Sequence, residues 1–284
     1  MSPSFLICLS HDVDRVRKTY QYFTHDVRKR RLGNLKKYFS KSDPYWNFGR
    51  IMEMEERYGV RSSWYFLEET IPFRLLKPES WKLSLGRYSV KEEAISDIMR
   101  RLVSEGWEVG LHGSYRSFRD VGLLSEEKST VEKVLGRPVT GIRQHYLNLD
   151  VPETWQLQRD AGFEYDASFG YRRGLGWKED RLTPFYDEDS GMWVVPLSLM
   201  ECNLFSEAND DPGKALEIAC GLMEQAERRG AILTVLWHPH VFCEPDFEGY
   251  GWVYEEIIKE GRRRGAEFLT ARDLVCRFME SKNL

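Results

Sequence analysis

Phe5-Leu6-Ile7-Cys8-Leu9-Ser10-His11-Asp12-Val13-Asp14 decides the fold. Its apolar run has no polar alternation and predicts a strand buried on both faces, as in a parallel sheet or barrel. Side chains alternate along a strand, so Asp12 and Asp14 project to one side. Two carboxylates directly after a core strand are costly unless a cation or a hydrogen-bond network holds them. The carboxyl ends of parallel strands are also where α/β folds assemble their sites. A helix-capping Asp pair is the plainer alternative. Charge following so directly on a core strand favours a site.

The pattern repeats outward from this stretch. Helical spacing over 47–58 stops at Gly59, and 61–67 reads as an aromatic strand. An amphipathic helix over 90–105 precedes a strand at 107–111 that ends at His112. A helix over 125–135, with Ser125 as its cap, precedes a strand at 139–142 that ends at Arg143-Gln144-His145-Tyr146. A helix over 151–161 leads to Asp166, and 192–197 is another strand. A helix over 212–229 precedes the strongest strand, 231–237, which ends at His238-Pro239-His240. A helix over 250–264, a short strand at 267–270 and a helix over 271–281 complete the chain. Strand and helix alternate about seven times, which argues a parallel sheet with crossover helices. Polar residues end strand after strand, and a barrel mouth gathers such ends round one point. The expected architecture is α/β, a single barrel domain over 1–284. There is no GxGxxG or GxxxxGK[ST] stretch to support nucleotide binding.

Composition sets outer limits. A hydrophobic fraction of 42% and a charged fraction of 30% suit a globular domain with a real core. The net charge of −4 argues against a general polyanion binder. Five cysteines, with no CxxC pair, read as reduced thiols of a cytoplasmic protein. No apolar run approaches transmembrane length. Charge is unevenly spread: 15–41 holds ten Lys/Arg and one acid, a net +9, so the remainder carries −13. This basic insertion, about 15–46, is either a solvated hairpin or a positive flap beside the mouth. It lacks a recognisable nucleic-acid recognition motif, so no nucleic-acid partner is expected.

The strand ends collect His11, Asp12, Asp14, His112, Arg143, His145, Tyr146, Asp166, His238 and His240. Five of the six histidines are in this set, and His with Asp from separate strands is a usual donor set for a divalent metal. These residues carry a family resemblance. Ser10-His-Asp-Val-Asp14 resembles the first motif of the polysaccharide deacetylases (carbohydrate esterase family 4), and Glu108-Val-Gly-Leu-His112 the second. Arg143-Gln-His-Tyr146 is similar to the third, Asp166-Ala-Ser-Phe169 to the fourth, and Leu236-Trp-His238 to the fifth, all in family order. The resemblance implies a distorted, incomplete (β/α)7-type barrel. It also implies a hydrolase that removes an acetyl group, usually N-linked, from a sugar or glycan precursor.

Roles follow from the same resemblance. Asp12 would be the general base, oriented by Arg143, and His238 the general acid, held by Asp166. The Tyr146 N–H would stabilise the oxyanion. Asp14 and His112 would bind a divalent metal, zinc or a similar ion. Leu236 would line the acetyl pocket. Apart from the resemblance, Trp237, Tyr171 and Trp177 follow or occupy the expected mouth and are candidates to stack on the sugar, with core packing the plainer alternative. One departure matters: Arg116 stands where the family has a second metal-binding histidine. A guanidinium stays protonated and does not ligate metals. His145, which replaces the family's proline, is the expected third ligand, ahead of Ser114. Arg116 also favours a second possibility, a catalytically decayed barrel that binds carbohydrate without hydrolysis. The expected partner is an acetylated sugar, in the sharper form a phosphate-linked one whose phosphates meet the basic insertion. Oligomeric state is not legible.

Overall fold

The computed structural model describes residues 5–21, 43–72, 74–76, 81 and 83–282, so most of the basic insertion lies outside the described residues. In chain order the strands are β1 Leu6–Val13, β2 Ser63–Leu67, β3 Glu108–Gly113, β4 Gly141–Gln144, β5 Tyr165–Asp166, β6 Phe185–Asp187, β7 Met192–Val194, β8 Leu199–Met200, β9 Ile232–Leu236 and β10 Glu267–Phe268. The helices are α1 Phe48–Arg57, α2 Glu93–Ser104, α3 Val121–Leu135, α4 Glu153–Asp160, α5 Glu201–Glu207, α6 Pro212–Arg229, α7 Tyr250–Arg263 and α8 Ala271–Lys282. Helix α3 starts earlier than its sequence suggests. Asp120, not Ser125, caps it by accepting from the Leu123 N–H, which satisfies an orphan donor of the first turn.

The sheet runs β6-β7-β5-β4-β3-β2-β1-β9-β8, with β10 also against β1. Every pairing is parallel except the β6–β7 edge. One segment supplies both ends of the row. β7 pairs with β5, and β8, a few residues later, pairs with β9. Between them Leu197 bridges Gly170, while Ser198 exchanges hydrogen bonds with Thr234. The result is a distorted, incomplete barrel whose last stave is this short, kinked stretch.

Strand parity assigns every side chain to one of two cores. Cys8, Tyr65, Tyr165, Trp193 and Ile232 fill the barrel interior, with Ala271, Leu274 and Val275 of α8 packed against them. The other parity, such as Ile7, Leu9, Trp64, Phe66 and Leu233, packs against the helices. Tyr65 and Tyr165 fit because β3 and β4 carry glycine beside them. A Cβ on Gly110 would come within 2.7 Å of the Tyr65 ring, and one on Gly141 within 2.1 Å of the Tyr165 hydroxyl. Overpacking of this kind costs about 1–3 kcal/mol. Gly141→Ala is therefore expected to lower the unfolding free energy, measured by urea titration, by that amount. Gly221→Ala, in α6 where a Cβ meets nothing within 4 Å, is expected to raise stability by about 0.5–1 kcal/mol.

Candidate active site

The even parity of β1 lifts Cys8, Ser10, Asp12 and Asp14 in turn toward the mouth. Arg143, opposite His112 across the β3–β4 pair, reaches under them from β4. Its Nη1 donates to Asp12 Oδ1 at 2.9 Å and to Ser10 Oγ at 2.8 Å, and its Nε donates to the Ala167 carbonyl at 2.8 Å. The guanidinium also lies 4.6 Å from the Tyr65 ring centroid. Arg143 is fully buried and Asp12 nearly so. Burial alone would lower the Arg143 pKa, but Asp12 outweighs it and the guanidinium is held charged.

Asp14 sits among three imidazoles. His112 Nε2 is 3.1 Å from its Oδ1, and the Nε2 atoms of His145 and His238 are each 3.5 Å from its Oδ2. His112 Nδ1 faces the Arg143 carbonyl at 2.9 Å, so it must donate there. In the neutral ring the Nε2 lone pair then points at a carboxylate. That arrangement needs a proton or a cation between the two. Without a cation, burial opposes charge on His112, but Asp12 and Asp14 outweigh it and raise its pKa. Burial likewise works to raise the Asp14 pKa, and His145, His238 and His112 overcome it and pull it well below the usual carboxylate range. Single donor atoms of Asp14, His112 and His145 all lie within 4.8 Å of one another. Asp14 Oδ1 and His145 Nδ1 are buried without hydrogen-bond partners. One carboxylate and two imidazoles from three strand ends suit a divalent metal that keeps an open position.

These groups open into a cavity of about 1120 Å³ lined by Asp12, Asp14, His112, His145, Tyr146, Leu236 and His238, among others. Tyr146 stacks on His145 at 4.3 Å and holds a left-handed φ of +59°. Non-glycine residues in that region cluster at functional sites.

The partner expected for His238 is corrected. Asp166 is fully buried and accepts from Gln158 Nε2, the Ser168 N–H and Ser168 Oγ at 2.9, 2.8 and 2.6 Å. Its neighbour Tyr165 points into the barrel, so parity turns Asp166 outward to α4. Burial raises its pKa. His238 Nδ1 instead faces Glu201 Oε1 at 2.5 Å. Glu201 opens α5 immediately after β8, at a strand end that the sequence hides. The run Leu197-Ser-Leu-Met ends in a charge as the other strands do, but Pro196 and Ser198 break its apolar pattern. Burial alone would lower the His238 pKa, but Glu201 and then Asp14 raise it to about 10.

Three aromatic expectations are corrected as well. Trp237 has the parity opposite to Leu236 and His238 and is fully buried against Phe205 and Tyr254. Trp177 is buried, with Nε1 donating to the carbonyl of Ile232, the first residue of β9 and the end far from the mouth. Tyr171 is 40% exposed and stands outside the cavity lining. His11 also has outward parity. Its two nitrogens face the Trp237 carbonyl and Glu55, inside a buried network with Tyr254. It supports the barrel from behind. His240 does line the cavity.

A parallel barrel carrying Asp, His and Arg at its mouth belongs to a class of folds that includes many hydrolases. Comparison with solved structures places the fold more narrowly. The chain is similar to a protein described as a polysaccharide deacetylase from Mycobacterium smegmatis, at TM-score 0.67 and 14% identity over 100% of this chain and 93% of that one. It is similar to an allantoinase at TM-score 0.64 and 13% identity, covering 96% and 89% of the two chains. A protein described as a polysaccharide deacetylase from Pseudomonas aeruginosa PAO1 gives TM-score 0.62 and 12% identity, covering 96% and 90%. The fold is thus the polysaccharide deacetylase-like barrel. The sequence matches no family model and no curated protein.

The corrected partner has a measurable signature. In chelator-treated protein, Glu201→Gln should bring the His238 titration, followed by imidazole NMR, down toward the ordinary value. Asp166→Asn should leave it in place. The folded pKa lies above the ordinary 6.5, so the His238 contribution to stability is complete below about pH 6.5. It is lost as pH rises through about 10, and Glu201→Gln should flatten that pH dependence of the unfolding free energy.

Proposed function

We propose that the protein is a metal-dependent hydrolase that removes an acetyl group from an N-acetylated sugar, with O-acetyl groups as a secondary target. The single observation that carries this is the convergence at the mouth. A carboxylate locked to a buried arginine, an Asp-His-His donor set and a carboxylate-held histidine line one cavity. Carbohydrate binding alone requires neither a base with its orienter nor an acid with its partner.

Asp12 commits one oxygen to Arg143 and keeps Oδ2, 3.9 Å from His112 Nε2, free to take a proton from the attacking water. Arg143 fixes that carboxylate in direction. Asp14, His112 and His145 would hold the divalent ion, zinc or a similar metal. Bound there, it would supply Lewis acidity to the amide carbonyl and acidify water. His238, protonated and aimed by Glu201, is placed to protonate the departing nitrogen, since an unprotonated amine leaves poorly. The Tyr146 N–H is assigned to the developing oxyanion, and Leu236 to the acetyl methyl.

Arg116 does not argue for decay. It is exposed on the cavity wall, while His145 occupies the donor cluster. The third ligand has moved to the adjacent strand end.

Acetate release from a panel of acetylated sugars tests the proposal. Release should disappear with chelator and return with added divalent metal. Metal content, measured by elemental analysis, should fall in His145→Ala and stay in Arg116→Ala. Asp12→Asn should keep the metal and lose about 10²- to 10⁴-fold in turnover. Binding of the sugars without acetate release from the metal-loaded protein would establish the carbohydrate-binding barrel instead.

A further inference from the structure

We infer that the mouth carries an anion subsite. Arg116, Arg172 and Arg173 would read a phosphate or carboxylate on the substrate. The inference rests on the hydrolase assignment above and names the substrate class of the same cavity.

All three arginines line the cavity and are exposed. They come from the loops after β3 and β5, and the intervening loop after β4 ties them together. Asn148, nearly buried, donates from Nδ2 to the Tyr115 carbonyl at 3.2 Å, beside Arg116. Its Oδ1 accepts from Arg172 Nη2 at 2.9 Å, and the Leu147 carbonyl accepts from Arg172 Nε at 3.4 Å. Arg172 is thus anchored by neutral acceptors that leave its charge uncompensated. Among the described residues, neither Arg116 nor Arg173 has a carboxylate partner.

The acids of the cavity are already engaged. Asp12 serves Arg143, Glu201 serves His238, and Asp14 serves the imidazoles. Three guanidinium groups lining one cavity carry like charge, and a neutral sugar offers nothing to offset that. An anion does, and the guanidinium fork fits phosphate and carboxylate oxygens in pairs.

The start of the basic insertion is less suited to this task than its charge suggests. Arg15 donates to the Leu85 carbonyl, Arg17 pairs with Glu92, and Lys18 is buried against Asp246. Among the described residues, the mouth arginines are the better-placed cations.

The full-length protein should be tested by calorimetry with N-acetylglucosamine, its 1-phosphate and N-acetylmuramic acid. At least one anionic sugar should bind on the order of tenfold more tightly than the neutral one, and which anion wins identifies the source of charge. Raised salt should shrink the difference. In Arg116→Ala/Arg173→Ala, which leaves the Arg172 anchor intact, the preference should fall to within about twofold. Arg116→Glu should weaken the anionic sugar selectively. Equal binding of charged and neutral sugars, or a preference that survives the double variant, overturns the inference. Because the readout is binding, failure of acetate release would sink the hydrolase assignment without deciding this one. Efficient release from neutral sugars with unchanged kinetics in the double variant would do the reverse.

Discussion

A guanidinium at the centre of the barrel sets the terms for everything above it. Arg143 is fully buried, and such a charge is tolerated only when its surroundings return what water would have supplied. They do so for Nε and Nη1 through Asp12, Ser10 and the Ala167 carbonyl, and for the guanidinium plane through the face of Tyr65, while Nη2 has no hydrogen-bond partner among the described residues. Ser10 in turn donates to the Val235 carbonyl at 2.8 Å. One side chain therefore joins β1, β2, β4 and the residue after β5, and through Ser10 it is linked to β9. An incomplete barrel whose last stave is kinked gains from such an internal tie. The tie also holds one Asp12 oxygen and leaves the other facing the imidazoles, so the contact that closes the core also sets the direction of that carboxylate.

The mouth is built on the same economy of position. Two imidazoles of the mouth owe their orientation to something behind them: His112 to the Arg143 carbonyl, and His238 to Glu201. Such backing fixes which nitrogen carries the lone pair, as in many metal and proton-transfer sites. The donor set has three members although the position that Arg116 occupies in the motif pattern contributes none. His145 fills the gap because the ends of β3 and β4 are neighbours in the ring. A ligand can be exchanged between adjacent strand ends while the point they surround stays where it was. Arg116 faces the cavity as a cation.

The kinked segment from β7 to β8 has a comparable double use. It hydrogen-bonds to the strands on both sides. It also delivers Glu201 to the mouth at the first residue of α5. Shifting this short stave would disturb the His238 partner and the sheet pairing together, so the placement of His238 and the architecture are coupled.

Strand existence, helix alternation, the barrel and most of the mouth were legible from the chain itself. Apolar runs that end in Asp, His or Arg state both the buried strand and the end that carries chemistry. Asp12, Asp14, His112, Arg143, His145 and His238 were all accessible in that way, and the structure brings them together. Parity and pairing were not legible, because a one-residue change in where a strand begins reverses every side chain on it. Asp166 and Trp237 were lost to that reversal, and Glu201 was hidden by a stave too short and too broken to show a period. The sequence alone determined which residue types crowd the carboxyl ends of the strands. Only the tertiary structure decided which of them face one another, because that depends on the register of strands far apart along the chain.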